Sequence, residues 1–156
     1  MHLEVPVQLR WSDLDAYGHV NNVEMLRLLE EARIEAFWAV PELGDGADGG
    51  RDSAVLAAGP AAPTAMLVAR QEIEYLLPLG YSRAPVLVEL WISHLGGASI
   101  EVSYRLRESA TVYANAITTL VVVDRATGAP QRITAAAKAV WENYVDAPVP
   151  MRHRRA

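Results

Sequence analysis

The sequence lacks cysteine, has a single phenylalanine and contains no long uninterrupted hydrophobic run. Without cysteine there are no disulfides, no thiolate metal ligands and no cysteine nucleophile. No apolar stretch approaches the length that a membrane-spanning helix needs, and Met1–Glu4 does not open a secretory leader with a basic and then an apolar region. These absences predict a cytoplasmic protein that has no membrane partner.

Basic residues are also too few for a general polyanion binder. The 14 Lys and Arg residues are outnumbered by 19 Asp and Glu, which gives a formal net charge of -5 and a pI near 5.3. Binding a nucleic-acid backbone requires clustered cations, so a nucleic-acid partner is not expected. A few local arginines could still hold one phosphorylated ligand.

The chain that remains has the size and composition of one folded domain. Its 156 residues are 51% hydrophobic and 21% charged, which is ordinary for a protein with a buried core. We assign residues 1–156 to a single domain. Within it, the Gly- and Pro-rich stretch 41–63 is predicted to be a flexible insertion, and 145–156 a tail.

The first forty residues predict a strand, a loop and a helix. Leu3–Trp11 alternates apolar and polar residues, with Trp11 on the apolar face, as in a strand. Ser12–Asn22 is rich in turn-forming residues and is typical of an ordered loop. The 3.6-residue spacing that follows predicts a helix from about Val23 to Val40, ended by Pro41. Its apolar positions are Val23, Leu26, Leu29, Ile34, Phe37 and Trp38, and its polar side is expected to carry Arg27, Glu30, Glu31, Arg33 and Glu35.

The rest of the chain is dominated by strand patterns separated by turn sequences. Together with the first strand they predict an antiparallel sheet of about five strands and an α+β fold with one long helix. A short final helix is expected at 132–144. The later strands are predicted at Thr64–Leu77, Val86–Leu95, Ser99–Glu108 and Tyr113–Asp124.

Polar and potentially reactive residues are concentrated between the first strand and the helix. They are Asp13, Asp15, His19, Asn21 and Asn22. The free N–H groups and positive dipole of a helix start favour a developing oxyanion, and a carboxylate just upstream could act on the carbonyl held there. The same residues could instead be turn formers and a helix cap. No further His or acidic cluster accompanies them, so we assign no metal site.

The spacing of this segment resembles a known signature. The run RWSDLDAYGHVNN at 10–22, followed by Leu26, Leu29 and the Glu-Glu-Ala-Arg of 30–33, resembles the 4-hydroxybenzoyl-CoA thioesterase-like branch of the hot-dog superfamily. The likeness continues more weakly through Ile73–Leu79, His94–Ser99 and Thr127–Ile133. It implies a curved antiparallel sheet wrapping one long helix, assembled as a homodimer or homotetramer with active sites between subunits.

The resemblance also implies roles within the motif. Asp15 matches the catalytic aspartate, which acts as nucleophile or general base on a thioester carbonyl. Gly18 would allow a tight turn, and backbone N–H groups around Asn21, Asn22 and Val23 would polarise the carbonyl. His19 would either fix the loop or reach the thioester.

The implied reaction is hydrolysis of an acyl-CoA to a carboxylic acid and free coenzyme A, with no metal or redox cofactor and with coenzyme A present only as part of the substrate. The alternatives are an acyl-carrier-protein thioesterase, a hot-dog hydratase or dehydratase, and a non-enzymatic acyl-CoA-binding domain. The sequence leaves the acyl group open. Candidate partners for the coenzyme A phosphates are Arg70, Arg83, Arg105, Arg107, Arg152, Arg154 and Arg155.

Overall fold

Seven strands and two α-helices are present in the computed structural model, which describes residues 1–39, 51–57 and 61–152. The strands are β1 (Leu3–Val7), β2 (Trp38–Ala39), β3 (Leu56–Ala57), β4 (Thr64–Tyr75), β5 (Val86–Leu95), β6 (Ser99–Glu108) and β7 (Thr111–Asp124). The helices are α1 (Asn22–Phe37) and α2 (Ala135–Trp141), with 3-10 turns at Trp11–Asp13 and Glu142–Tyr144.

Five of the strands form one antiparallel sheet in the order β1-β5-β6-β7-β4. Alternate side chains of a strand point to opposite faces, so Val88 and Leu90 of β5 face the same way as Val102 and Tyr104 of β6. These residues are fully buried in the main core together with residues of α1. The predicted five-stranded antiparallel sheet and α+β class are confirmed.

Helix α1 lies against the core face of the sheet. It is 16 residues long and ends at Phe37, short of the predicted Val40, because Trp38 and Ala39 pair in parallel with Leu56 and Ala57. This pairing, between segments far apart in sequence, was not predicted. The buried face of α1 is made of Met25, Leu28, Leu29, Ala32, Arg33, Ala36 and Phe37.

Three further expectations were wrong. The first strand ends at Val7 rather than Trp11, and Trp11 lies in a 3-10 turn with 73% of its surface exposed instead of on the apolar face. Arg33, expected on the polar side of the helix, is only 1% exposed. The final α-helix covers 135–141 rather than 132–144, with a 3-10 turn after it.

The opposite face of the sheet is crossed by the segment after the last turn. The Trp91 indole donates to the carbonyl of Ala147 at 2.7 Å, and the N–H of Val149 donates to Ser103 Oγ at 3.1 Å. Trp91, Ile117 and Val149 form a second small core. Residues 145–151 of the predicted tail therefore pack on the domain. Residues 153–156, and 40–50 and 58–60 of the region around the predicted insertion, lie outside the described residues.

No helix in the described ranges is long and apolar enough to span a membrane.

Candidate active site

The loop between β1 and α1 is anchored by a buried carboxylate. Asp13 is 1% exposed, and its side chain accepts hydrogen bonds from the Arg10 N–H at 2.7 Å and from Arg27 Nη2 at 2.8 Å. Its carbonyl accepts from the Asn21 N–H at 2.8 Å. A buried carboxylate with these partners ties both ends of the loop to α1. For Asp13, the structural alternative given above for this segment agrees with the geometry, since the residue fixes the loop.

The cation of that anchor belongs to α1. Arg27 also contacts Glu24 and Glu31, which stand three residues before it and four residues after it on the same helix. Burial acts to lower the Arg27 pKa, but the hydrogen bond with Glu24 and the charges of Glu31 and Asp13 outweigh it and raise that pKa above its ordinary value. Arg27 therefore stays charged at neutral pH and provides the cation that contacts the buried Asp13 side chain.

Asp15 lies within a tight turn that is closed by its own backbone. Its N–H donates to the His19 carbonyl at 2.8 Å, and its carbonyl accepts from the Gly18 N–H at 3.1 Å. Gly18 has φ +78°, a left-handed conformation that glycine adopts without strain. The turn is followed by Val20, whose N–H donates to the Leu79 carbonyl at 2.8 Å.

This turn holds one oxygen of the Asp15 carboxylate. Oδ1 accepts from the N–H of Tyr17 at 2.8 Å and from the N–H of His19 at 3.2 Å. Oδ2 forms no hydrogen bond within the part of the chain that the structure describes. Both hydrogen bonds go to Oδ1 and fix the plane of the carboxylate. Oδ2, which is also a hydrogen-bond acceptor, is therefore available to a ligand.

Helix α1 begins directly after the turn. Asn21 is its N-cap, and Asn21 Oδ1 accepts from the Val23 N–H at 3.0 Å. Since the Asn21 N–H is taken by Asp13, two of the three predicted carbonyl-polarising N–H groups already have partners. The N–H of Asn22 makes no hydrogen bond among the described residues. Of the three predicted N–H groups, it is the one that remains available to a ligand.

Asp15, His19 and Asn22 line one open cleft of about 350 Å³, which we call the Asp15 cleft. Tyr75, at the end of β4, is the fourth polar residue of its wall, and its hydroxyl donates to the Asn22 carbonyl at 3.0 Å. Burial raises the Tyr75 pKa, so the phenol remains a donor at neutral pH. The apolar wall consists of Val20, Met25, Leu76, Leu77, Pro78 and Leu79.

The cleft contains three of the six predicted site residues. Gly18 and Asn21 shape the turn and the cap behind the wall, and Val23 is 64% exposed beside them. His19 forms the turn through its backbone and lines the cleft, and its ring has no hydrogen bond within the described ranges. Tyr75 was given no role from the sequence, because the residue that it contacts lies 53 positions away.

The candidate arginines for coenzyme A phosphates do not line the cleft. Arg105 contacts Glu89, Arg107 contacts Glu4, and Arg70 contacts Glu72. Arg83 and Arg152 make no ion pair with another described residue, and Arg154 and Arg155 lie outside the described residues. The geometry therefore selects no phosphate site among them.

A carboxylate with one free oxygen, a free helix N–H and an apolar wall suit attack on the carbonyl of an acyl group. In the described segments, no group of three or more His, Asp or Glu side chains is placed to hold a metal ion.

Comparison with known proteins bears on the function of the cleft. A family model described as the thioesterase-like superfamily matches residues 9–151. No curated protein matches the sequence.

Several solved structures have a similar fold. A predicted thioesterase from Bacillus stearothermophilus superposes with a TM-score of 0.76 at 21% identity, over 96% of this chain and 100% of the other. A thioesterase from Thermus thermophilus, solved with coenzyme A and Zn, gives 0.68 at 26% identity, over 90% and 92%. A proposed acyl-CoA thioesterase from Xanthomonas campestris gives 0.62 at 27% identity, over 84% and 98%.

Proposed function

Because the chain belongs to the thioesterase-like superfamily and is a thioester hydrolase of the hot-dog fold, we propose that it hydrolyses an acyl-CoA to a carboxylic acid and free coenzyme A. Two relatives support this choice of substrate, since one was solved with coenzyme A and the other is described as an acyl-CoA thioesterase. The observation that carries the proposal is the Asp15 carboxylate, which has one free oxygen and shares a cleft with Asn22, a residue whose N–H has no partner among the described residues.

In the proposed reaction the thioester carbonyl accepts a hydrogen bond from the Asn22 N–H. The free Oδ2 of Asp15 then either attacks the carbonyl carbon or takes a proton from a water molecule that attacks it. In the first route the carbon–sulfur bond breaks, and water then hydrolyses the acyl–Asp15 anhydride to the acid and the free Asp15 carboxylate, with one proton of that water going to the thiolate. In the second route water adds to the carbonyl carbon, the carbon–sulfur bond breaks, and the proton taken up by Asp15 passes to the thiolate. Each route consumes one water and releases the acid and the thiol. The first turn of α1 is held by the Asn21 cap and by the Tyr75 hydrogen bond to the Asn22 carbonyl, so little rearrangement is needed when charge develops on the carbonyl oxygen.

The experiment is free-thiol release from short, medium, long and aromatic acyl-CoA substrates with the wild type and Asp15→Asn. The amide oxygen of Asn can still accept from the N–H groups of Tyr17 and His19, so the turn should survive. We expect kcat to fall by about a hundredfold or more, the range typical of a lost general base.

Asp124→Asn is the matched control. Asp124 Oδ1 also accepts a backbone N–H in a tight turn, from Thr127 at 2.8 Å, but Asp124 is not part of the cleft wall. Its kcat should equal that of the wild type. Absence of thiol release by the wild type across the panel would exclude the proposed substrate class, and full activity of Asp15→Asn would exclude Asp15 as the catalytic carboxylate.

We further propose that the reaction needs no metal or redox cofactor. The carboxylate and the helix N–H supply a nucleophile or base and an electrophilic contact, which are the two functions that ester-type hydrolysis requires. Dialysis against EDTA followed by the same thiol assay tests this. Activity that is lost on dialysis and restored by a divalent metal would overturn it.

We also propose that the protein is a homodimer, or a dimer of dimers, paired through the edge strand β4. This strand is 12 residues long, and its outer edge has no partner strand among the described residues. Leu67 and Val68 on it are 53% and 44% exposed. A long edge strand with exposed apolar side chains favours pairing with a second copy. Sedimentation equilibrium should give a multiple of the 17.0 kDa chain mass, and a monomer would contradict the proposal.

A further inference from the structure

Tyr75 joins the edge strand of the sheet to the first turn of α1. Its hydroxyl donates to the Asn22 carbonyl at 3.0 Å, across a separation of 53 residues in sequence. The bond runs directly from a β4 side chain to the first residue of the helix, and both residues line the Asp15 cleft. It therefore holds the two walls of the cleft together at the point where Asn22 lies.

The accepting carbonyl belongs to the peptide unit that also carries the Val23 N–H, and that N–H donates to Asn21 Oδ1 at 3.0 Å. The result is a chain of hydrogen bonds from the phenol, through one peptide group, to the cap of the helix. Bonds in such a chain polarise one another and restrict the rotation of the peptide plane. The preceding peptide unit, between Asn21 and Asn22, carries the free Asn22 N–H. The direction of that N–H therefore depends on how firmly the Asn22–Val23 peptide is held.

The contact is not explained by core packing. Tyr75 is 46% exposed and lines the cleft. Its hydroxyl donates to the Asn22 carbonyl of α1, and the helix does not need this second donor to form. A tyrosine that only filled space here could be phenylalanine. Burial raises the pKa of the phenol, which keeps it a donor over the neutral range.

We propose that Tyr75 is a positioning residue for thioester hydrolysis: it orients the first peptide groups of α1 so that the Asn22 N–H meets the carbonyl oxygen as charge develops there. The inference rests on the proposed function of the Asp15 cleft. It assigns the residue an effect on the chemical step rather than on substrate binding, because the Asn22 donor becomes more important as the oxygen becomes negative.

The test is Tyr75→Phe, which removes the hydroxyl and keeps the ring in the cleft wall. Loss of one neutral hydrogen bond from the chain should lower kcat by roughly three- to tenfold and leave KM unchanged. The matched control is Tyr113→Phe. It also removes a phenol bonded at 3.0 Å, in that case to Glu108, and it keeps the Tyr113 carbonyl that accepts from the N–H groups of Leu76 and Leu77 in the cleft wall. Tyr113→Phe should retain the kcat and KM of the wild type.

Amide hydrogen exchange gives a second measurement that does not depend on turnover. Exchange at Val23 should be faster in Tyr75→Phe than in the wild type and unchanged in Tyr113→Phe. Unchanged kcat and exchange in Tyr75→Phe, a rise in KM alone, or an equal fall in kcat in Tyr113→Phe would each overturn the inference. If the wild type releases no thiol at all, the proposed function fails, and faster Val23 exchange alone would still support the positioning contact.

Discussion

Gly18 shows how one residue type is required by the geometry of the Asp15 turn. Its φ of +78° lies in the left-handed region, and a Cβ added there would meet no atom within 4 Å. The cost of a side chain at this position is therefore a backbone cost and not a clash. For a non-glycine residue with a Cβ this conformation costs roughly 1–2 kcal/mol.

We expect Gly18→Ala to lower the free energy of unfolding by about 1 kcal/mol and to lower kcat, because the turn that holds the Asp15 carboxylate relaxes. Gly18→Asn should cost less, since asparagine tolerates the left-handed region. Gly97→Ala is the control, because its Cβ would also meet nothing within 4 Å but its φ is not left-handed. Urea unfolding and the thiol assay measure both effects; equal losses in Gly18→Ala and Gly97→Ala would contradict the argument.

At the residue scale, the sequence located the part of the site that is continuous along the chain. Asp15, His19 and Asn22 fall within eight positions, so one motif and one turn bring them together. Tyr75 could not be found in this way, because its contact with Asn22 depends on how β4 passes the end of α1. The prediction for Arg33 was wrong for a similar reason. Its charge predicted a solvent-exposed position, but in the fold its Nη1 lies 3.3 Å from the buried Tyr104 hydroxyl.

At the scale of elements, the start of α1 has two functions that can be separated by experiment. The cap of Asn21 stabilises the helix, and the same cap holds the first turn, in which Asn22 lines the Asp15 cleft. Helix α2 has a cap of the same kind, in which Thr134 Oγ1 accepts from the Ala137 N–H at 3.1 Å. That cap is remote from the cleft wall.

We expect Asn21→Ala and Thr134→Ala each to lower the free energy of unfolding by about 1 kcal/mol, the usual cost of a lost N-cap. Only Asn21→Ala should also lower kcat, because only its helix presents donors to the substrate. Chemical denaturation and steady-state assays on the same preparations provide the measurement. A comparable fall in kcat in Thr134→Ala would mean that global stability, rather than the helix start, controls activity.

The strands were predicted better than the helix ends. β5 and β6 have the bounds expected from alternation and the intervening Gly-Gly turn, because a hairpin is specified locally. The end of α1 is not determined by local sequence, because Trp38 and Ala39 form a short strand that pairs with Leu56 and Ala57. The apolar spacing within the helix contains no information about β3, which lies nearly twenty residues further along the chain. That strand also falls within the stretch predicted to be an insertion.

At the scale of the whole molecule, the two ends of the described chain are fastened together on the sheet face opposite α1. The His2 ring stacks on Trp91 with centroids 4.1 Å apart. Its Nδ1 lies 2.7 Å from Glu89 Oε1 and its Nε2 lies 2.9 Å from Asp146 Oδ2. Both ring nitrogens face carboxylate oxygens, so the ring and the two carboxylates link β1, β5 and the segment after the last turn.

The pKa values of these carboxylates determine how the link responds to acid. Burial acts to raise the Glu89 pKa, but the hydrogen bond with His2 and the charge of Arg105 outweigh it, so the pKa is lowered. The Ala147 N–H, followed by His2, lowers the Asp146 pKa. Arg107 also faces Glu89, with its Nε 3.9 Å away. A folded-state pKa below the unfolded value gives stability that is complete above the unfolded value, near 4, and is lost as the pH falls through the folded pKa.

We therefore expect the melting temperature of the wild type to fall below about pH 4, and Glu89→Gln to show a smaller fall. At neutral pH the variant should be less stable by about 1 kcal/mol, or about 2–4 °C for a chain of this size, because Arg105 and His2 lose their charged partner. Glu142→Gln removes an exposed carboxylate that makes no ion pair with the described residues and should match the wild type. Thermal melts between pH 3 and pH 7 make the comparison. If Glu89→Gln and the wild type lost stability equally in acid, the lowered Glu89 pKa would not contribute to folding, and the ends of the chain would be held by the Trp91 stacking and backbone contacts alone.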